Sequence, residues 1–177
     1  ACTNAFAEAA GKVKELTDKH LVELDRDVDM TQLANKQAFA KNTFLFSQCM
    51  EGLQFYSLYA VVLEMGRTGK LTGTAEILSS LLRDAGFRCE LFRKLFSEPN
   101  RENNDIRTDA FDAELVALMD EAVALEKAFI SDYLPGAASV GLDNDTLNGY
   151  IDHVAARRLA ACGLGPAADA SPLPWLD

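Results

Sequence analysis

The stretch from Met30 to Met65 constrains the fold most, because it contains no proline and a single glycine, Gly52. From Phe44 onward its apolar residues (Phe44, Phe46, Cys49, Met50, Leu53, Phe55, Tyr56, Leu58, Tyr59, Val61, Val62, Leu63) cover nearly every face of a helical wheel. A helix that is apolar all round has to be surrounded by other elements. The reading is one long central helix over Met30–Met65, broken at Gly66–Lys70.

The neighbouring segments supply the covering layer. Phe6, Ala10, Val13, Leu16, His20 and Leu24 recur near a period of 3.6 and predict a helix over Asn4–Asp25. Ile77, Leu81, Ala85, Cys89, Phe92 and Phe96 give a second such face, with Thr72 or Thr74 as its cap. Pro99 lies in the polar stretch Ser97–Thr108, which reads as a loop. A helix from Asp109 to Tyr133 follows and is stopped by Pro135 and Gly136. Asp143 to Thr146 is a capping cluster for a last helix, Leu147 to Ala161. Residues 166–177 form a loop-like tail in which Trp175 is expected to pack back. No segment alternates with the period of a strand. The expected architecture is all-α: an antiparallel bundle of five to six helices in a single domain over residues 1–177.

Composition excludes several classes of function. The formal net charge of −10 argues against a large phosphate-binding footprint, so no nucleic-acid partner is expected. No apolar run is long enough for a membrane span, and the N-terminus lacks the plan of a signal peptide; the expected setting is cytoplasmic. Cys2, Cys49, Cys89 and Cys162 form no CxxC pair, and His20 and His153 lie far apart, which argues against a zinc site. The cysteines read as reduced core residues and the histidines as partly exposed helix residues. The string GRTGKLTG at Gly66–Gly73 lacks the spacing of a phosphate loop and follows no strand.

One acid, Glu51, stands inside the apolar run, in Gln48-Cys49-Met50-Glu51-Gly52-Leu53-Gln54-Phe55-Tyr56. Bundles that hold two irons or manganeses use such inward acids, with Glu-x-x-His pairs on adjacent helices. The next helix carries Arg83-Asp84-Ala85-Gly86-Phe87-Arg88. At these positions the sequence resembles the small, radical-generating subunit of class I ribonucleotide reductase, in its C-terminal half. There a ligand Glu is followed by an Arg-Asp-Glu-x-x-His string. The resemblance extends through Leu71-Thr72-Gly73-Thr74-Ala75, Asp132-Tyr133-Leu134, Val140-Gly141-Leu142, Tyr150, Arg158, Gly163-Leu164 and Ser171-Pro172-Leu173-Pro174-Trp175.

The resemblance implies a ferritin-like bundle lacking the family's N-terminal helices. It makes Glu51, Ala85 and Arg88 the positions of metal ligands, Asp84 that of radical transfer, and Phe55 and Tyr59 the flank of the radical site. Only Glu51 keeps a ligand's chemistry. No metal is therefore expected, although the family carries di-iron or di-manganese. A guanidinium at Arg88 is expected to take the cation's place against Glu51 as a buried pair, with Asp84 accepting its remaining donors. The other reading turns Arg88 to solvent.

Three functions are compatible with these residues. One is a small-subunit homologue without its own cofactor, serving deoxyribonucleotide synthesis with a reductase large subunit, with an intact or complementary small-subunit partner, or as a homodimer. Another is a non-catalytic helical scaffold or protein-binding module. The third is an oxygenase-like site rebuilt from Glu51, Asp84 and Glu90.

Overall fold

The computed structural model describes the backbone of residues 2–102 and 105–176, and the side chains of 7–98 and 105–176. Among the described residues there are six α-helices and no strand. They are α1 (Cys2–His20), α2 (Leu33–Phe44), α3 (Tyr56–Arg67), α4 (Thr72–Glu102), α5 (Asp109–Tyr133) and α6 (Asn144–Ala161). A π-helical segment, Leu45–Met50, prolongs α2, and a short 3-10 turn, Ala137–Val140, links α5 to α6. Phe44, Leu45, Cys49 and Leu53 are fully buried at the centre. They pack with Leu115, Leu118 and Met119 of α5 and with Leu147 and Ile151 of α6. None of these helices is long and apolar enough to cross a membrane.

The central segment is not one helix. The backbone leaves α-geometry at Leu45, opens into turns over 51–55 and restarts at Tyr56. Phe55, at the restart, is left-handed with φ 65°, a conformation uncommon for a bulky residue. The break survives because other helices satisfy its backbone. Glu126 of α5 accepts from the N–H of Phe55 (2.8 Å), the N–H of Ser57 (3.1 Å) and the hydroxyl of Ser57 (2.5 Å). Gln54 Nε2 donates to the carbonyl of Ala122 (3.0 Å), and Arg158 Nε donates to the carbonyl of Gly52 (3.1 Å). An interior helix end needs such partners, since each helix leaves its first N–H groups unpaired.

Other ends also differ from the sequence expectation. Helix α1 stops at His20, not Asp25, because Asn42 takes over the backbone of Val22. Its Oδ1 accepts the Val22 N–H (3.0 Å) and its Nδ2 donates to the Val22 carbonyl (2.7 Å). Helix α4 runs 31 residues to Glu102, past the expected end at Phe96 and through Pro99. One missing backbone donor near a helix end removes a single hydrogen bond, while Phe96, 2% exposed, holds the preceding turns in the core. Thr72 is the first residue of α4 and not its cap. Gly66 lies inside the last turn of α3, where a Cβ would fall 2.3 Å from that of Ala75. It permits a close α3–α4 crossing and does not end the helix.

The cap at Asp143 holds as read: it accepts from the Thr146 N–H (2.8 Å) at the start of α6. Thr108, the last residue of the expected loop, accepts from the Phe111 N–H (3.2 Å) and caps α5. In the tail, Leu173 is the buried anchor. Trp175 stays partly exposed, with the Arg67 guanidinium 5.4 Å from its ring centre.

Candidate functional site

The opened turn at 51–55 and the middle of α4 bring the predicted positions into one region. Arg88 donates from Nη2 (2.8 Å) and Nε (3.1 Å) to the same oxygen of Glu51, Oε2. Arg88 therefore does not turn away from the acid. The pair lies at the surface, however, with the two side chains 50% and 41% exposed. The expectation of a buried pair is overturned. The π-segment and the turn carry Glu51 to the rim of the core, so the long Arg88 side chain meets it from outside. Asp84 is exposed on the same helix and contributes to Arg88 only through its charge. Arg88 is held above its ordinary pKa, first by its hydrogen bonds to Glu51 and then by that carboxylate's charge.

Ala85, between them in sequence, points inward and is 7% exposed. It supplies no donor atom. Tyr59 sits one turn beyond Phe55, with its ring 5.8 Å from that of Tyr56. Burial raises its pKa, the carboxylates of Glu51 and Glu126 add to the rise, and Arg88 opposes it. Phe55 packs edge-on against Phe129 at 5.5 Å. The alternative triad does not assemble: Glu51 is on Arg88, Asp84 is exposed, and Glu90 is held by Arg93 (2.7 and 2.6 Å).

One group, Glu126, escaped the sequence reading, and another, Arg158, entered it only as part of the resemblance, with no contact assigned to it. Glu126 is 1% exposed, and burial raises its pKa against the opposing effect of its three hydrogen bonds. The signal was its place in α5 between Ala122 and Phe129, an acid on the buried stripe. Arg158 crosses from α6 to the Gly52 carbonyl and to the hydroxyl of Tyr56 (3.0 Å). Nothing in the spacing of α6 identifies that reach. The described cysteines behave as core residues: Cys49, Cys89 and Cys162 are free and buried. Burial raises all three thiols, Cys162 to about 11. The side chain of Cys2 lies outside the described residues.

As a donor set, Glu51, Ala85 and Arg88 comprise one carboxylate already paired with a guanidinium, and no imidazole. A pair of divalent ions in a bundle is held by several carboxylates and imidazoles. These residues do not fit such a group. Among the described residues, no three His, Cys, Asp or Glu side chains gather as a metal-holding cluster.

Comparison with known proteins places this geometry in context. The family model described as ribonucleotide reductase, small chain, matches residues 3–167. The ribonucleoside-diphosphate reductase subunit beta of Chlamydia pneumoniae is 34% identical over 140 residues, which cover 78% of this chain and 40% of that protein. The ribonucleoside-diphosphate reductase small chain of Nicotiana tabacum is 28% identical over 142 residues, 80% of this chain and 40% of that one. The solved structure of the R2 subunit of ribonucleotide reductase from Clostridium botulinum aligns with a TM-score of 0.75 at 25% identity, over 98% of this chain and 52% of that one. The shared fold is the ferritin-like helical bundle. The chain spans about 40% of the length of the curated relatives it matches.

Proposed function

Because this protein belongs to the ribonucleotide reductase small-chain family, we propose that it is a small-subunit homologue without a di-metal and radical cofactor of its own, serving deoxyribonucleotide synthesis together with a partner. One observation carries the reading: the Arg88 guanidinium rests on Glu51, at two positions where the resemblance puts metal ligands, while Ala85 stands at a third. A fixed positive charge neutralises the carboxylate that a cation would otherwise need. The partner is a reductase large subunit or an intact or complementary small subunit, in a cytoplasmic setting. Within such an assembly Asp84, Phe55 and Tyr59 keep the positions that the family gives to radical transfer and to the flank of the radical site.

The double substitution Ala85→Glu with Arg88→His tests this directly. It returns a Glu-x-x-His pair to α4 beside Glu51, three donors of the kind that suffice for a single divalent ion. The unaltered protein is expected to bind no Co²⁺. The double variant is expected to take up about one equivalent, with the visible absorption of a coordinated ion. Tight Co²⁺ or iron binding by the unaltered protein would overturn the proposal.

A further inference from the structure

Arg158 is half-buried, and the groups it touches do not answer its charge. Its Nε and Nη2 donate to neutral acceptors, the Gly52 carbonyl (3.1 Å) and the Tyr56 hydroxyl (3.0 Å). Its charge also acts on the thiols of Cys89 and Cys162. Burial raises both thiols and the Tyr56 phenol, so all three stay uncharged at neutral pH. Among the described residues no carboxylate pairs with Arg158; Glu51, next to Gly52 in sequence, is taken by Arg88. A charge drawn partly out of water is normally paired. Two of the five guanidinium donors are used here, which leaves three.

This guanidinium lines a cleft of about 310 Å³ between α3, α4, α6 and the tail, a volume within the range of small-molecule sites. Leu82, Val154 and Leu176 give it apolar walls, beside the buried rings of Tyr56 and Tyr150. The exposed Arg157 adds a second guanidinium, and among the described residues no carboxylate lines the space. Gly86 keeps it open. Glycine inside a helix is destabilising relative to alanine, and no neighbour of Gly86 requires it. A Cβ there would meet nothing within 4 Å, whereas one on Gly66 would collide with Ala75. Gly86 follows Leu82 by one turn on the same face of α4, so a side chain at 86 would extend beside Leu82 into the cleft. An unanswered guanidinium calls for an anion, and a planar carboxylate matches its fork. The apolar walls call for an apolar body on the same ligand.

We propose that this cleft binds a small organic monocarboxylate, its carboxylate on Arg158 and its apolar body against Leu82, Val154 and Leu176. The site does not depend on whether Glu51 ever meets a metal. Calorimetric titration of the whole protein with phenylacetate at millimolar concentrations is expected to show saturable binding at one site. Phenylacetamide has the same shape without the charge, and inorganic phosphate has the charge without the apolar body; each should bind at least about tenfold more weakly. Gly86→Leu should fill the cleft and abolish phenylacetate binding. Its helical circular dichroism should be unchanged and its thermal midpoint no lower, since leucine is the better helix former. Arg158→Lys keeps the charge and loses the planar fork, and should weaken phenylacetate by about tenfold. No saturable phenylacetate binding would overturn the proposal. So would equal affinity for phenylacetamide or phosphate, or undiminished binding by folded Gly86→Leu.

Discussion

Glu126 shows how one residue can shape an element it does not belong to. Its carboxylate sits in the core of α5 yet caps α3, accepting three hydrogen bonds from Phe55 and Ser57. Glu126→Ala would leave those buried donors unpaired, and an unsatisfied buried group costs about 1–3 kcal/mol. Chemical denaturation should show a loss of at least that size. Glu126→Gln keeps one acceptor oxygen and should lose less. The pH dependence separates the two substitutions. Burial raises the folded pKa of Glu126 above its ordinary value of 4.5, so the folded state holds this proton more tightly than the unfolded state does. Its contribution is therefore present below pH 4.5 and is lost as pH rises through the raised folded pKa. Relative to Glu126→Gln, the unaltered protein should lose stability across that window on going to higher pH. A stability difference that does not vary with pH would place the ionised carboxylate at no disadvantage in the core.

At the scale of the element, the connection between α3 and α4 rests on two backbone details. Gly66 lies so close to Ala75 that a methyl group would force the two helices apart. Gly66→Ala should destabilise the fold by about 1–3 kcal/mol, in the manner of overpacking. Leu71, just before α4, has φ 52° and is more than half exposed. Leu71→Gly removes the left-handed strain and little packing, so it should stabilise by up to about 1 kcal/mol. Thermal unfolding of the two variants should move in opposite directions; a shift of the same sign in both would contradict this account of the crossing.

These details mark the border of what the sequence makes legible. Helices α1, α4 and α5 were readable because their apolar residues repeat at helical spacing, but the expected face of α4 was only half right: Ala85, Cys89 and Phe96 are buried while Ile77 and Leu81 face outward; the cap at Asp143 and the stop after Tyr133 carry local chemistry. The break at 51–55 was not readable, since its backbone groups are met by Glu126 and Arg158 across the bundle, and its own Gln54 reaches over to the carbonyl of Ala122. An unbroken apolar run looks the same whether the helix continues or opens. The end of α1 was hidden for a similar reason: the partner of Val22 is Asn42, twenty residues away. In the candidate site, the meeting of Glu51 and Arg88 followed from their shared relation to one set of positions. Their exposure did not, because it depends on how far the π-segment swings Glu51 toward the rim.

At the scale of the whole molecule, the protein keeps the bundle of its family and a rim at which the Arg88 guanidinium pairs with the Glu51 carboxylate, the two residues that the proposal sets at ligand positions. The measurement that tests this account most directly is the iron and manganese content of the purified protein, by elemental mass spectrometry, after incubation with both metals and removal of excess. The account predicts well under a tenth of an equivalent of either metal. One or two tightly held equivalents would contradict it, and would mean that Glu51 exchanges Arg88 for a metal ion.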